Sequence, residues 1–163
     1  MELTLCTIGF AGKTAEQFFS LLTQAGVRRV LDIRENRGGQ LSGFAKHPDL
    51  AFFLQRLAGI GYAHEPRLAP TPEMRKAYRA SKDWPQYEAA FLALMCDRGF
   101  PGAVEVPAEG GTMALLCSEP GPEKCHRRLV AEILAEDLRS KGHTVQVRHL
   151  VTEKTASKKR RGE

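Results

Sequence analysis

A chain of 163 residues, 42% hydrophobic and 26% charged, is long enough to bury one sizeable core without disulfide or metal staples. Its apolar runs fall well short of the roughly 20 residues that cross a bilayer, and Met-Glu-Leu-Thr-Leu-Cys at the N-terminus lacks a basic stretch before an apolar core, so neither a membrane span nor a signal peptide is expected. The net charge of +5 is uneven, because residues 152–163 hold five basic and two acidic side chains and leave only +2 for the rest.

Leu3–Ile8 predicts a first strand, with Gly9 to Gly12 as the turn after it. Thr14 and Gln17 carry the spacing of a capping box, and Phe18, Leu21, Leu22 and Ala25 form one apolar stripe that Gly26 ends. Val27–Ile33 predicts the second strand, and the polar, glycine-containing run from Arg34 to Lys46 a loop. Pro48 suits the first turn of a helix carrying Leu50, Phe53, Leu54 and Leu57, ended by Gly59 and Gly61. A short strand is expected at Tyr62–Glu65. Thr71-Pro72-Glu73 opens a helix with Met74 and Tyr78 on one face, and Trp84-Pro85 precedes another with Tyr87, Phe91, Leu94 and Met95 inward. Phe100 to Gly111 is irregular, with room for a short strand at Ala103–Val106. Met113–Cys117 predicts a strand, Cys125 to Lys141 a helix with Leu129, Val130, Ile133, Leu134 and Leu138 inward, and Thr144–Val151 the last strand.

Strands alternating with helices predict an α/β fold: a single compact domain over residues 1–151, with a mainly parallel sheet flanked by helices in a Rossmann-like three-layer arrangement. Residues 152–163 read as a basic, solvated tail, either solubilising or adding salt-sensitive affinity for nucleic acid. In such sheets ligands bind beyond the carboxyl ends of the strands. That edge carries the Gly9–Lys13 turn, the Asp32–Ser42 loop and the Cys117–Arg127 turn.

Four cysteines are too sparse for a disulfide scaffold, which points to a reducing compartment and hence the cytoplasm. Two of them fall in Cys117-Ser-Glu-Pro-Gly-Pro-Glu-Lys-Cys-His-Arg127. Cys125 stands near a helix N-terminus, beside His126 and Arg127, a setting that depresses a thiol pKa. It can serve as a nucleophile, with Cys117, His126 and Glu119 in supporting or acid–base roles, or the turn can hold an anion without covalent chemistry. The plainer reading makes Cys125 a packing residue and Arg127 a surface charge. Cys117, Glu119, Cys125 and His126 are metal-ligating types, but Cys-x7-Cys-His is not a usual zinc spacing, so no cofactor is favoured.

Asp32 and Arg34, two apart at a strand end, point to the same side of the sheet. They form an ion pair, or Asp32 orients Arg34 or Arg37 toward a phosphate or carboxylate, with Ser42 downstream. The Gly9–Thr14 segment superficially resembles a phosphate loop, but Thr7 stands where that pattern needs glycine. Backbone groups from Gly9 onward can still meet an anion. His64 reaches the edge of this region; His47, His143 and His149 read as surface residues, Cys6 and Cys96 as packing, and Trp84 as a core anchor.

Three features in order, Thr7-Ile8-Gly9, then Val30-Leu31-Asp32-Ile33-Arg34 with Ser42, then Leu115–Glu119 leading to Cys125-His126-Arg127, together resemble the domain-of-unknown-function family DUF488 over nearly all of residues 3–150. The resemblance implies a compact α/β domain with a site built from Asp32, Arg34, Ser42, Cys117, Glu119, Cys125, His126 and Arg127, and supplies no reaction. Phe10 stands where many relatives have a polar or aromatic residue, often histidine, and cannot take an acid–base role, and Arg67-Leu68-Ala69-Pro70 stands in place of a Leu-Gly-Gly turn. The combined expectation is a hydrolase or transferase acting on an anionic, phosphate-bearing substrate, of nucleotide or nucleic-acid origin. Arg34, Arg37, Ser42, Arg127 and Gly9 would bind it, and Cys125, Glu119, Asp32, Cys117 and His126 would carry the chemistry. The alternative is a non-catalytic module that binds nucleic acid or nucleotides.

Overall fold

Side-chain alternation along the strands feeds two separate cores, and this sorts the helices into layers. The structure, a computed structural model, describes residues 1–38, 42–102 and 104–152. Strands β1 (Glu2–Gly9), β2 (Val27–Asp32), β3 (Gly61–His64), β4 (Gly111–Cys117) and β5 (Thr144–Leu150) form one sheet in the order β3-β2-β4-β1-β5, and every pairing is parallel. Leu3, Leu5, Leu31, Met113 and Leu115 face one way, onto helices α3 (Pro72–Ser81), α4 (Trp84–Asp97) and α5 (His126–Ser140). Cys6, Ile8, Val30, Ala114 and Leu116 face the other way, onto α1 (Ala15–Gln24) and α2 (Asp49–Ala58). The result is the expected three-layer α/β arrangement.

Local signals set the helix starts. Thr14 and Gln17 make the reciprocal capping box, with backbone N–H groups donating to Gln17 Oε1 at 2.9 Å and Thr14 Oγ1 at 3.1 Å. Thr71 and Asp83 cap α3 and α4 through the N–H groups of Met74 and Gln86. Pro48 stands just before α2 rather than in its first turn. The buried stripe of α2 is also narrower than expected. Leu50 and Leu54 are fully buried, whereas Leu57 is 72% exposed because it lies at the helix end, beyond the sheet-facing side. No strand forms at Val104–Val106; the Val104 N–H turns back to Pro101 O at 3.1 Å instead of entering a ladder. Ala103 lies outside the described residues, as does the tail expected at 152–163 apart from Thr152. Among the described residues no helix is long and apolar enough to cross a membrane.

The strand order fixes where a ligand can sit. β1 and β2 send the chain to α1 and α2 on one face, while β4, lying between them, sends it to α5 on the other. Adjacent strands whose connections diverge open a crevice at their carboxyl ends. The register places Gly9 opposite Cys117 and Asp32 opposite Leu116, so all three sequence motifs meet there.

Candidate functional site

β4 ends on Cys117 and α5 begins after Cys125, which occupies the N-cap without a capping hydrogen bond from its side chain. The eight-residue return brings the two Sγ atoms to 2.9 Å, and both cysteines are free thiols. Strand alternation aims Cys117 at the α5 layer with Met113 and Leu115, where it is 1% exposed. Arg127, in the first turn of α5, also turns inward and is completely buried. Its Nη1 donates to Glu119 O at 2.5 Å and to Cys117 Sγ at 3.3 Å. Its Nε and Nη2 are buried without a hydrogen-bond partner among the described residues. Arg127 is therefore not a surface charge. It lies beneath the turn, held there by the short approach to Glu119 O.

Gly9 makes that approach possible. A Cβ at Gly9 would fall 1.5 Å from Glu119 O and 2.3 Å from Arg127 Nη1. No side chain fits, so Gly9 serves as the floor under the turn.

Charge is distributed unequally between the two thiols. Burial pushes Cys117 up, but the Cys125 S–H, the Arg127 guanidinium and the backbone at Glu119 outweigh it and bring it down to about 7. Burial raises Cys125 well above the ordinary range, and the neighbouring Cys117 sulfur adds to the rise. A helix N-terminus by itself predicts Cys125 as the thiolate. Instead Cys117, bonded to Arg127 Nη1, is the thiol that ionises first, and Cys125 keeps its proton. Lys13, 8% exposed, adds a second cation; burial and Arg127 lower it to about 8 while Cys117 partly opposes them.

His126 keeps part of its ring on the surface of the crevice. Its Nε2–H donates to Ile33 O at 3.3 Å, which leaves Nδ1 as an acceptor 3.9 Å from Cys125 Sγ. Burial, with Arg127 and Arg75 nearby, lowers it to about 4 despite the Ile33 hydrogen bond, so the ring is neutral at pH 7.

At the end of β2, Asp32 and Arg34 form a closed pair. Arg34 Nε donates to Asp32 Oδ1 at 2.9 Å and Nη2 to Oδ2 at 2.8 Å, with a further bond from Nη2 to Ala45 O at 2.8 Å. The Arg34 backbone N–H and the Tyr62 hydroxyl complete the carboxylate, at 3.2 and 2.7 Å. The guanidinium lies 5.2 Å from the Phe10 ring centroid. The bidentate fork expected for a substrate is thus spent on Asp32, which orients Arg34 and is itself fully buried. Arg37 does not line the crevice; its Nη1 meets His47 Nδ1 at 3.3 Å and Tyr62 OH at 3.4 Å.

The crevice is an open cleft of about 580 Å³. Cys125, His126 and the Glu119 region form one wall, Arg34 and Ser42 another, and α3 closes the third with Arg75 and Arg79 and, at its C-cap, Lys82. Lys124 adds a fifth cation, against the acids Glu35 and Glu119, while Phe10, Tyr78 and Tyr87 supply rings. Arg75 is engaged by Glu35. Arg75, Arg79 and Lys82 are not among the residues expected at the site from sequence, although the i, i+4 spacing of Arg75 and Arg79 marks one helix face. Among the described residues no group of three His, Cys, Asp or Glu side chains is arranged to hold a metal ion.

A family model described as a domain of unknown function, DUF488, matches residues 14–134. The chain belongs to the DUF488 family. The match is narrower than residues 3–150, omitting β1 with Gly9 as well as β5, but it includes Asp32, Arg34, Ser42 and the whole Cys117–Arg127 turn. No curated protein and no solved structure matches the chain. In this DUF488 domain the family segment therefore contains both buried arginines and both thiols of the site.

Proposed function

We propose that this DUF488 domain is an enzyme, a hydrolase or transferase, acting on an anionic, phosphate-bearing substrate held in the cleft. The observation that carries the reading is a thiol pair at the foot of a cleft whose charged walls hold five cations and two carboxylates. Arg79, Lys82 and Lys124 receive the anion, with Arg34 contributing the amino group that Asp32 does not use. Tyr78, half-buried at the cleft, offers a ring for a base, which favours a nucleotide. Cys125 faces this space, and passing its proton across 2.9 Å to Cys117 makes it the nucleophile. Glu119, on the rim, is placed for acid–base work on a leaving group. Asp32 acts as a positioning residue through Arg34. The setting we propose is the cytoplasm, where free cysteines persist as thiols.

Titration calorimetry with adenosine monophosphate tests the site. Binding should weaken steadily with salt and fall at least tenfold in Arg79→Ala/Lys82→Ala, a loss of about 1.4 kcal/mol. Affinity unchanged in that variant would remove the reading. Binding retained with no turnover of any phosphate ester would favour the non-catalytic nucleotide-binding alternative.

A further inference from the structure

We propose that Cys117 and Cys125 are a dithiol–disulfide couple that exchanges two electrons with a small disulfide entering through the cleft. The proposal shares the thiols of the function above but needs no phosphate ligand, so loss of nucleotide binding would leave it standing.

Three observations carry it. The first is reach. The sulfurs are 2.9 Å apart as free thiols, and a bonded pair lies at about 2.05 Å. Closing the bond moves each sulfur by roughly half an ångström, at the junction of a strand end and an N-cap residue whose side chain makes no cap bond. The second is order of access. Both cysteines are buried, but Cys125 lines the cleft and Cys117 does not, so an incoming disulfide reaches the Cys125 sulfur first. Cys6 and Cys96 have no comparable partner: Cys6 is buried in the opposite core, and Cys96 is exposed on α4.

The third is Arg127. A fully buried guanidinium is costly without an anion beside it. Among the described residues no carboxylate pairs with it, and two of its nitrogens are unpartnered. The Cys117 sulfur, 3.3 Å from Nη1, is the anion the geometry provides. Above about pH 7 the reduced pair is therefore one thiolate and one thiol, with the Arg127 guanidinium against the Cys117 sulfur and Lys13 as a second nearby cation.

The chemistry balances. The Cys125 S–H gives its proton to the Cys117 thiolate, and the Cys125 sulfur attacks one sulfur of RSSR. The mixed disulfide Cys125–S–SR forms and RS⁻ leaves. RS⁻ then takes the proton from Cys117 and departs as RSH. The Cys117 thiolate attacks the Cys125 sulfur, closing the intramolecular disulfide and expelling a second RS⁻. Two protein sulfurs are oxidised and the small disulfide is reduced to RSH and RS⁻. Oxidation also removes the anion beside Arg127. The buried charge thus favours the reduced form, and the couple is an oxidising one, easily returned to the dithiol.

The test uses the full chain carrying Cys96→Ser, which removes the exposed thiol. The protein is equilibrated in buffers of graded reduced and oxidised glutathione, quenched with acid, alkylated and mapped by peptide mass spectrometry. Cys117 and Cys125 should disappear together into one intramolecular disulfide while Cys6 stays reduced. Adding Cys117→Ser should trap glutathione on Cys125. Arg127→Met should shift the midpoint at least tenfold toward the disulfide, about 30 mV for two electrons. Should Arg127→Met not fold, the paired loss of thiols and the trapping variant still decide the matter. Glutathione persisting on Cys125 while Cys117 is intact, or both cysteines remaining thiols in excess oxidised glutathione, would overturn the proposal.

Discussion

Two buried arginines stand at the carboxyl edge of the sheet, Arg34 just after β2 and Arg127 in the first turn of α5, and they are accommodated in opposite ways. Arg34 has a carboxylate that takes two of its nitrogens, a carbonyl and an aromatic face, and the Tyr62 hydroxyl completes the carboxylate. Arg127 has one carbonyl and one sulfur, and two nitrogens without a partner among the described residues. A satisfied pair is a latch: its groups are committed to each other and hold the loop after β2 against Phe10 and Ala45. An unsatisfied cation is a field, and here the field falls on a cysteine. The contrast separates the part of the cleft whose groups are committed to each other from the part to which the proposed function assigns the chemistry.

The largest effect should come from the latch. Asp32→Ala leaves Arg34 buried without its carboxylate, and breaking such a pair costs about 3–5 kcal/mol. Urea unfolding should show this as a lower midpoint with little change in slope; a change under about 1 kcal/mol would mean that the two arginines are not so different.

Gly9→Ala should be next. The added methyl meets a backbone carbonyl at 1.5 Å, which cannot swing aside as a flexible side chain would. The turn must lift off Arg127, at a cost of about 1–3 kcal/mol or more. Thiol alkylation should reveal the lifted turn as a slower reaction at neutral pH, because the Cys117 anion loses its partner. Unchanged stability and unchanged alkylation would show that the turn is not seated on Gly9.

Smaller still is the dependence of stability on pH. Cys117 falls from the ordinary 9 to about 7 in the folded state, so the unfolded chain binds the extra proton between those values. Its contribution should therefore grow as pH rises from about 7 toward 9 and be lost as pH falls through 7. Cys125, displaced the other way, should erode stability only above pH 9. His126, neutral above about 4, adds nothing across this window, whereas Lys13, lowered from 10.5 to about 8, adds its own rise above 8.

Much of this frame is legible in the amino-acid sequence. Period-2 and period-3.6 patterns place the strands and helices, and the carboxyl-edge rule gathers Gly9, Asp32, Arg34 and Cys117–Arg127 in one region. Cys125 at the start of a helix is also readable, from the Gly-Pro punctuation before it and the apolar stripe after it. The assignment of charge is not readable. It depends on Arg127 folding under the turn instead of outward, which only the clearance above Gly9 permits. Arg37 looks as eligible as Arg34, since a loop sequence does not say which arginine faces Asp32. The cations of α3 escape notice for a different reason: their spacing is plain, but the apolar face is what marks the segment as a helix, and nothing local says that its basic face borders a cleft. At 104–106 β-compatible residues mislead, because prolines on either side turn the segment out of the ladder.

The most direct test of a single negative charge shared by Cys117 and Cys125 and held by Arg127 is a pH titration of thiolate ultraviolet absorbance, in wild type and Arg127→Met. A single thiolate should appear in the wild type with a midpoint near 7, and the substitution should move it upward by at least one unit, or tenfold in the ionisation constant. If every thiol of the wild type ionises together in the ordinary range near about 8.5, or if Arg127→Met leaves the first midpoint where it was, the buried arginine does not hold a thiolate.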